Sequence, residues 1–494
     1  MIVKRDVQSA KYYNSGYGPN FQPVDIGHEK YIALINPETA FWMLVKKEEL
    51  GNLLTDENLL KSYKAKVEEF GIDMYNLRFN LKPSAVYFNP TERCNLNCTY
   101  CYIPEKMRKN GPHMSKEQLL DGIKILEKYF KNTMTGKRKP QIIFHGSEPM
   151  LNRDAVFAGI NEFKNDFNFG IQTNATLLDD EAIEFIKENK IGIGISIDGP
   201  SSDIADKSRY DWSGDGYFER IKSLIPKFID YPGFNVICTI STENCEYLDQ
   251  TIDMFHDIGI KTCMLNITRC TQERSRTVKP DDAIAAKYYL KALDRTYELY
   301  QKTGRKLIVA NFANILIGII APSARRLMCD ISPCGGGRCF FAVAANGDMF
   351  PCSEFVGVSD YNGGNIFKDD IQSVINGNIF KSMTERKTED IHPCKSCALQ
   401  HFCGAPCPAE AYTMNGGMDK PGAFCEFYEE QVRYAFRLIA NKKEDAYLYD
   451  GWDKDTKTMF DAGMINFSRN AFKQMHKCIS SNDFERKLQV YKFH

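Results

Sequence analysis

The segment "CNLNCTYCY" at residues 94–102 places Cys94, Cys98 and Cys101 at spacings of four and three residues. Packing does not require three thiols so close together, whereas thiolate sulfur is a preferred ligand of iron–sulfur clusters and of zinc. Three such ligands would leave one coordination position open to a small molecule. From the spacing alone, a [4Fe–4S] cluster is favoured, and a zinc site or three unrelated thiols remain as alternatives.

A second group of cysteines lies in the last third of the chain, where nine of the seventeen fall between Cys329 and Cys425. Such clustering indicates metal sites rather than a disulfide framework. The segment "CGGGRCFFAVAANGDMFPC", a downstream CxxC-x5-CxxxC pattern and one more cysteine after a gap contribute eight of them. In chain order these are Cys334, Cys339, Cys352, Cys394, Cys397, Cys403, Cys407 and Cys425. A pair of zinc knuckles is the alternative interpretation.

The bulk composition excludes several classes of function. The chain has 494 residues, enough for two or three domains, and a formal net charge of −1. A charge so close to zero gives no electrostatic case for binding nucleic acid or an anionic membrane. The most apolar stretch, "LIVANFANILIGIIAP", is interrupted by asparagines and is short for a membrane span. Because "MIVKRDVQSAKYY" lacks the apolar run of a signal peptide, we predict a cytoplasmic protein.

The first 80 residues predict a small α+β module. "KYIALINPETAFWMLV" predicts two strands around the turn "NPET". "ENLLKSYKAKVEEFG" predicts a helix that ends at Gly71 as its C-cap.

From residue 85 the pattern alternates between short apolar strands and amphipathic helices. The predicted strands are "SAVYFNPT", "QIIFHG", "FGIQTNA", "IGIGISIDG", "FNVICTIS" and "KTCMLNIT". Six strand–helix units predict parallel strands with right-handed crossovers, hence an α/β fold, either a partial barrel or an open sheet. Chemistry in such folds gathers at the carboxyl ends of the strands, and the first three cysteines follow the first strand. Residues 325–430 are cysteine-rich and loop-like, and residues 431–494 have no assigned role.

These motifs, in this order, strongly resemble the radical S-adenosylmethionine (SAM) superfamily, whose signature is CxxxCxxC with a neighbouring aromatic residue. "GSEP" after the second strand resembles the family's GGEP motif, with Ser147 in place of its second glycine. "QTNAT" and "SIDGP" end the third and fourth strands. The resemblance assigns SAM binding to Gly146, Ser147, Glu148, Pro149, Asn174, Ser196 and Arg209. It also implies the partial (β/α)6 TIM-like barrel, which we place at residues 85–310.

Membership of this family implies a specific chemistry. The open iron of the cluster binds the amino and carboxylate groups of SAM. One electron, supplied by a flavodoxin- or ferredoxin-type partner, cleaves SAM to methionine and a 5′-deoxyadenosyl radical that abstracts hydrogen from the substrate. The cofactor carries this chemistry, and the protein positions and shields it. The sequence does not identify a catalytic base.

The second cysteine group resembles the SPASM domain, which carries two auxiliary [4Fe–4S] clusters, so the expected total is three. The resemblance assigns the distal cluster to Cys394, Cys397, Cys403 and Cys425. It assigns the proximal cluster to Cys334, Cys352 and Cys407, with Cys339 favoured over Cys329 as the fourth ligand. If neither Cys329 nor Cys339 is a ligand, one iron of the proximal cluster is open to a substrate thiolate. The five cysteines outside these motifs are interpreted as buried free thiols: Cys238, Cys245, Cys263, Cys270 and Cys478.

SPASM enzymes mostly modify peptides or proteins, so the leading prediction is a peptide maturase that forms a thioether or another crosslink. The N-terminal module is loosely similar to winged-helix domains that bind leader peptides as an added strand, and a structural cap is the alternative. The other candidate functions are an anaerobic sulfatase maturase and an iron–sulfur electron-transfer protein.

The sulfatase maturase is disfavoured by the residue after Cys352. Those enzymes have an aspartate there that takes a proton from the substrate, whereas this chain has Ser353. Glu354 comes next, but adjacent side chains of an extended segment point to opposite faces. We therefore expect Glu354 not to replace the aspartate.

Overall fold

The computed structural model describes residues 20–134, 138–327, 329, 331–403 and 407–452. Its first unit is a three-stranded antiparallel sheet in the order β1-β2-β3, followed by two helices. The bounds are β1 (Gln22–Val24), β2 (Tyr31–Ile35), β3 (Trp42–Lys46), α1 (Leu50–Thr55) and α2 (Glu57–Phe79). The predicted strand pair around "NPET" is confirmed. The predicted helix end at Gly71 is wrong, because α2 continues through that glycine to Phe79.

The six predicted parallel strands are all present, and a short seventh follows them. They are β4 (Ala85–Phe88), β5 (Gln141–Phe144), β6 (Asn168–Thr173), β7 (Gly192–Ser196), β8 (Phe234–Ile240), β9 (Thr262–Ile267) and β10 (Ile308–Val309). The helices of this unit are α3 (Glu105–Asn110), α4 (Lys116–Thr133), α5 (Arg153–Phe163), α6 (Asp180–Glu188), α7 (Ser202–Ala205), α8 (Phe218–Leu224), α9 (Leu248–Ile258), α10 (Glu273–Thr277), α11 (Asp282–Thr303) and α12 (Ala310–Ile320).

The cysteine-rich region extends the same sheet. Strand β11 (Phe340–Val343) pairs in parallel with β4, and β12 (Asp348–Phe350) and β13 (Gly364–Asn365) continue from it in antiparallel fashion. The resulting ten-stranded sheet begins at β10 and ends at β13, and these two edge strands do not pair with each other. The α/β fold with a partial barrel is thus confirmed. The remaining helices are α13 (Ile371–Ile375), α14 (Asn378–Thr384), α15 (Pro408–Asn415) and α16 (Cys425–Ala440).

Local sequence signals account for the elements that frame the site. Ser115 caps α4 in a reciprocal capping box with Gln118, as their spacing predicts. The apolar stretch that begins at Leu307 forms β10 and α12, and every residue of α12 from Phe312 to Ile320 is buried. Within the described part of the chain, no helix is both long enough and apolar enough to cross a membrane.

The N-terminal unit packs against the rest of the molecule. The Trp42 indole N–H donates to the Ile319 carbonyl of α12 at 2.9 Å, and its ring meets Phe436 of α16 edge-on. Gln400 donates to the Pro37 carbonyl at 2.9 Å. A single contiguous hydrophobic core includes side chains from β1–β3, the barrel and α16.

Candidate functional site

The first cysteine motif lies in the loop that follows β4, at the carboxyl end of the sheet. Irregular backbone pairing holds this loop to the segment after β7: the Asn97 and Thr99 N–H groups donate to the Tyr210 and Ser208 carbonyls at 2.7 and 3.0 Å. The Trp212 indole N–H donates to the Cys94 carbonyl at 2.9 Å. The loop therefore has a fixed backbone path although it contains neither helix nor strand.

The GSEP segment joins the ends of three neighbouring strands. Gly146 has φ +102°, and a Cβ at this position would meet the Asn89 side chain at 2.4 Å, so glycine is required here. The Ser147 hydroxyl donates to the Glu92 carbonyl in the cysteine loop at 2.5 Å. The serine that replaces the family's second glycine therefore ties this segment to the loop.

Glu148 is fully buried and serves mainly as a structural acceptor. Its carboxylate receives hydrogen bonds from the Thr173 hydroxyl at 2.7 Å and from the Asn174 and Met150 N–H groups at 2.8 and 3.0 Å. Burial raises the pKa of Glu148, and these donors oppose the rise. Since a carboxylate has about four lone-pair sites, most of its acceptor capacity is used within the protein. The acceptors that remain for a bound ammonium are chiefly backbone carbonyls.

The ends of β6 and β7 carry the other predicted SAM contacts. The Asn174 amide donates to Asn95 Oδ1 at 2.9 Å and lies 3.8 Å from Cys94 Sγ, so β6 reaches the cysteine loop. Arg209 is buried and donates to Asp198 Oδ2 at 3.0 Å and to the Tyr100 hydroxyl at 2.5 Å. Ser196 ends β7 and is half-buried. The structure thus brings these residues to the same end of the barrel as the three cysteines.

Three motif cysteines share a feature that fits thiolate ligands. Cys94, Cys334 and Cys397 each accept a hydrogen bond at their sulfur from the backbone N–H two residues later, at 3.3–3.4 Å. Hydrogen bonds to ligand sulfurs are one of the ways in which proteins tune iron–sulfur clusters. Burial raises the pKa of Cys94 and Cys397, so these thiols need a bound metal to stay deprotonated at neutral pH.

The structure brings Cys334, Cys352 and Cys407 together. Burial raises the pKa of Cys352, and the nearby Cys334, Glu354, Cys329 and Cys407 raise it further. Cys339 is fully buried, and its pKa is raised by burial and by Cys334, with Arg338 opposing the rise. Cys329 is therefore close enough to Cys352 to raise the pKa of its thiol. The groups that shift the pKa of Cys339 are instead Arg338 and Cys334.

The distal cysteines lie where the loops meet α16. Cys394 and Cys397 belong to one short turn, in which the Cys397 N–H donates to the Cys394 carbonyl at 2.9 Å. Cys403 follows this turn, and Cys425 is the first residue of α16. Of the five cysteines outside the motifs, four are buried within the barrel, as predicted: Cys238, Cys245, Cys263 and Cys270. Cys478 lies outside the described residues.

A cluster of aromatic residues lies between the two cysteine regions, and we call it the tyrosine–histidine cluster: Tyr87, Tyr102 and His145. The Tyr102 hydroxyl is 3.3 Å from His145 Nδ1, and Tyr87 meets the same imidazole edge-on. Burial raises the pKa of Tyr102, and Glu354, Cys101 and Cys352 raise it further. Tyr102 therefore lies close both to Cys101, its neighbour in the chain, and to Cys352.

A charged group adjoins this cluster. Arg269 follows β9 and lies 3.8 Å from Glu354 and 3.7 Å from Glu410. Glu354 Oε2 is buried without a hydrogen-bond partner among the described residues, and burial raises the pKa of Glu354 to about 7, with Arg269 opposing and Glu410 adding to the rise. Ser353–Phe355 is a 3-10 turn, so the expectation of an extended segment there is wrong.

Several residues of the site carry weak sequence signals. Tyr102 follows the last cysteine of its motif, and His145 directly precedes GSEP. Arg269 and Trp212 belong to no recognised pattern. Within the described ranges, no three or more His, Cys, Asp or Glu side chains are arranged to hold a single metal ion. A four-iron cluster holds its thiolate ligands further apart than one ion does.

Comparisons with known proteins agree with this geometry. Residues 88–255 match the Radical SAM superfamily, and residues 334–398 match SPASM, an iron–sulfur cluster-binding domain. An uncharacterized protein of Archaeoglobus fulgidus is 35% identical over 404 residues, covering 82% of this chain and 91% of that protein. A cysteine-type anaerobic sulfatase-maturating enzyme of Clostridium perfringens is 23% identical over 381 residues, covering 73% and 98%.

Solved structures show the same fold. The enzyme anSMEcpe, solved with bound AdoMet and the Cp18Cys peptide, has a TM-score of 0.62 at 21% identity and covers 74% of this chain and 99% of its own. Streptococcus suis SuiB, bound to its precursor peptide SuiA, has a TM-score of 0.53 at 12% identity and covers 80% and 97%. Both matches cover about three quarters or more of this chain. The chain is therefore an enzyme of the radical SAM superfamily with a C-terminal SPASM domain.

Proposed function

We propose that this enzyme is a peptide maturase that uses the radical from SAM to abstract hydrogen from a peptide and to form a thioether or another crosslink. The observation that carries the proposal is that Tyr102 of the tyrosine–histidine cluster lies close to both Cys101 and Cys352. A side chain bound there would be within reach both of SAM and of the proximal SPASM cysteines. Two similar solved structures contain a bound peptide.

In this proposal Cys94, Cys98 and Cys101 hold the SAM-binding [4Fe–4S] cluster, which supplies the reductive cleavage of SAM when both are bound. The backbone of the GSEP segment accepts hydrogen bonds from the SAM ammonium group. Asn174, Ser196 and Arg209 position the rest of SAM at the ends of β6 and β7. The buried Arg209–Asp198–Tyr100 group holds these side chains in place through its hydrogen bonds.

Two further clusters complete the proposed cofactor set. The distal one takes Cys394, Cys397, Cys403 and Cys425. The proximal one takes Cys334, Cys352 and Cys407, and the electrostatic neighbours of Cys352 favour Cys329 over Cys339 as its fourth ligand. We divide the chain into an N-terminal module at 1–80, the barrel at 85–310, the SPASM domain at 325–430 and an extension at 431–494.

The proposed partners are a peptide and an electron-donor protein of the flavodoxin or ferredoxin type. Oxygen-sensitive clusters and the many cysteines suit the cytoplasm, where thiols stay reduced. The packing of the N-terminal module against α12 and α16 supports a structural cap. The alternative is leader-peptide binding, in which the peptide would add as a strand to β1 or β3, the two edge strands of this sheet.

An anaerobic sulfatase maturase is the second candidate. It is favoured by the relative from Clostridium perfringens and by Glu354, a carboxylate beside the tyrosine–histidine cluster. In the extended segment that the sequence predicts, Glu354 would face away from the reacting group. In the 3-10 turn its carboxylate instead lies beside Arg269, so the role of the missing aspartate falls to Glu354 under this candidate.

The cofactor proposal is tested by iron analysis and by 5′-deoxyadenosine release. Anaerobically reconstituted enzyme should contain about twelve irons per chain. Replacing Cys94, Cys98 and Cys101 together by alanine should remove about four irons and abolish SAM cleavage. Cysteine-to-alanine replacement of Cys329 should lower the iron content, and the same change at Cys339 should not. Persistent cleavage in the triple variant would refute the assignment of the SAM site.

The two candidate activities are separated by their products. Reduced enzyme and SAM are incubated with a peptide bearing the sulfatase Cys-x-Pro-x-Arg motif, and the masses are recorded. Conversion to formylglycine that is lost in Glu354→Gln would establish the second candidate and exclude ours. Loss of two hydrogens and one free thiol from a cysteine-bearing precursor peptide would establish thioether formation.

A further inference from the structure

Arg108 is a buried cation next to the first cysteine motif. It lies on α3, and its residue surface is 3% exposed. Its guanidinium donates to the Ile103 carbonyl at 3.1 Å, to the Leu96 carbonyl at 3.3 Å and to Asn97 Oδ1 at 3.2 Å. The two carbonyls belong to the loop that carries Cys94, Cys98 and Cys101, so the positive charge lies next to this loop.

All of these acceptors are neutral. Among the carboxylates of the described residues, none forms an ion pair with Arg108 within 4.0 Å, whereas Arg209, in the segment after β7, pairs with Asp198 at 3.0 Å. Burying a charge without a counter-charge is costly. The Trp212 ring lies 5.2 Å from the guanidinium carbon, but a cation–π contact offsets only part of the cost of burying a charge. A further negative group close to the guanidinium would therefore stabilise this buried charge.

Glu105 on the same helix is a carboxylate whose pKa is lowered by Lys109 and by the charge of Arg108, but it is exposed and pairs with Lys109. The guanidinium instead donates to the Leu96 carbonyl within the cysteine motif and to the Ile103 carbonyl just after it, so its charge lies close to any cluster held by this loop. A [4Fe–4S] core held by three thiolates has a net negative charge, and this charge grows when the cluster accepts an electron. A fixed cation nearby lowers the free energy of the more negative state by more than that of the less negative state.

We propose that Arg108 is the built-in counter-ion of the cluster at Cys94, Cys98 and Cys101, and that its charge raises the reduction potential of that cluster. This inference rests on the proposed cluster assignment. The step concerned is a one-electron reduction by the external donor protein, with no proton transferred. The hydrogen bonds of Arg108 all go to the cysteine loop, so it is a positioning residue that acts through the cluster.

The test is an EPR-monitored redox titration of the anaerobically reconstituted full-length enzyme, with iron content measured in parallel. The signal to follow is the one that changes when SAM is added. Arg108→Met should shift its midpoint potential to more negative values at unchanged iron content. Arg108→Lys keeps the charge and should shift it less. If Arg108→Met has its full iron content and the same midpoint potential as the wild type, the proposal is wrong.

Asn97→Asp separates charge from geometry. Asn97 Oδ1 accepts from Arg108 at 3.2 Å and from Arg274 at 2.5 Å, so an aspartate of the same shape would give the guanidinium a protein counter-charge. In Asn97→Asp, the midpoint potential of the cluster should therefore also become more negative. If Arg108→Met shifts the midpoint and Asn97→Asp does not, Arg108 acts through loop geometry and the counter-ion proposal is wrong. Asn97→Asp also decides the question if Arg108→Met fails to fold or to load iron.

Lys109 supplies the matched control. It is the next residue on α3, and its ammonium lies 4.6 Å from the same Trp212 ring, but its side chain is exposed and pairs with Glu105. Water screens such a charge, so Lys109→Met should leave the midpoint unchanged. An equal shift in Lys109→Met would overturn the assignment to Arg108. If the Cys94, Cys98 and Cys101 variant keeps the SAM-responsive signal, the failure lies in the cluster assignment instead.

Discussion

At the scale of single residues, Ser147 shows how one substitution in a motif can be absorbed. Its hydroxyl donates to the Glu92 carbonyl, while Glu92 itself is fully buried and accepts from the Ala345 N–H at 2.9 Å. The cysteine loop, the GSEP segment and the SPASM hairpin are thereby connected through two side chains. The extra Cβ is compatible with the backbone because the positive φ belongs to Gly146 and not to Ser147.

Ser147→Ala should therefore loosen the SAM site. A lost hydrogen bond at a half-buried position costs about 1 kcal/mol, and the Glu92 carbonyl loses a donor. We expect a lower melting temperature and a higher KM for SAM in the 5′-deoxyadenosine assay. Ser382→Ala is the control, because its hydroxyl donates to the Ile379 carbonyl on an exposed helix surface. An unchanged KM in Ser147→Ala would show that this hydrogen bond does not position SAM.

At the scale of elements, helix α2 is joined to the SPASM region by an ion pair. Arg78, near the end of α2, forms two hydrogen bonds of 2.8 Å with the Glu389 carboxylate and a third, at 3.0 Å, with the Ser332 carbonyl. Burial raises the pKa of Glu389, but the hydrogen bonds and charge of Arg78 outweigh it and lower the pKa to about 2. This contact fixes the last turn of the long helix.

The pair predicts a pH-dependent stability. Because the pKa of Glu389 is lower in the folded state, its contribution is present above about pH 4.5 and is lost as the pH falls toward 2. Glu389→Gln should cost about 2 kcal/mol at pH 7, less than for a fully buried pair because Glu389 is more than one-third exposed. Thermal melts from pH 7 to pH 3.5 measure this.

The contrast between wild type and variant is decisive for this pair. The difference in melting temperature should shrink as the pH falls below 4.5. A constant difference across the range would show that Glu389 contributes through shape and not through charge. Glu385→Gln gives the background effect of removing one carboxylate, because Glu385 is the C-cap residue after α14 and forms no ion pair among the described residues.

At the scale of the whole molecule, the N-terminal unit, the barrel and the SPASM region share one core. Trp42 is 5% exposed and links β3 to α12 and α16. The SPASM strand β11 pairs directly with β4, the strand that precedes the first cysteine loop. A change in one region is therefore expected to affect the stability of the others.

Trp42→Ala should destabilise the whole enzyme. Truncating a buried tryptophan costs about 3–5 kcal/mol, and the Ile319 carbonyl loses its donor. Tyr75→Ala is the matched control, because Tyr75 is 57% exposed on α2 and its loss should cost less than about 0.5 kcal/mol. The measurement is thermal or urea unfolding followed by cluster absorbance and circular dichroism together.

Two separate transitions in wild type would contradict the single core. If Trp42→Ala lowered only an early transition and left cluster absorbance intact, the N-terminal unit would be an independent domain. Leader-peptide binding would then gain support over the structural cap.

The sequence by itself determined the parts that depend on local spacing. Six strand–helix units, the three cysteines after the first strand and the capping box at Ser115 are all set by neighbours within a few positions. Such features survive folding because period, turn and cap are properties of short segments. The end of α2 was missed because Gly71 stops a helix only when tertiary packing does not continue it.

Only the tertiary structure decided which side chains from distant segments lie close together at the site. Glu354 reaches Arg269 because a 3-10 turn follows Cys352, and Cys329 approaches Cys352 from a segment more than twenty residues earlier. Arg108 is an ordinary helix arginine in the sequence. It becomes a buried charge among neutral acceptors only when the cysteine loop folds over it. Burial and electrostatic contacts between distant segments depend on the packed chain, so no local pattern can report them.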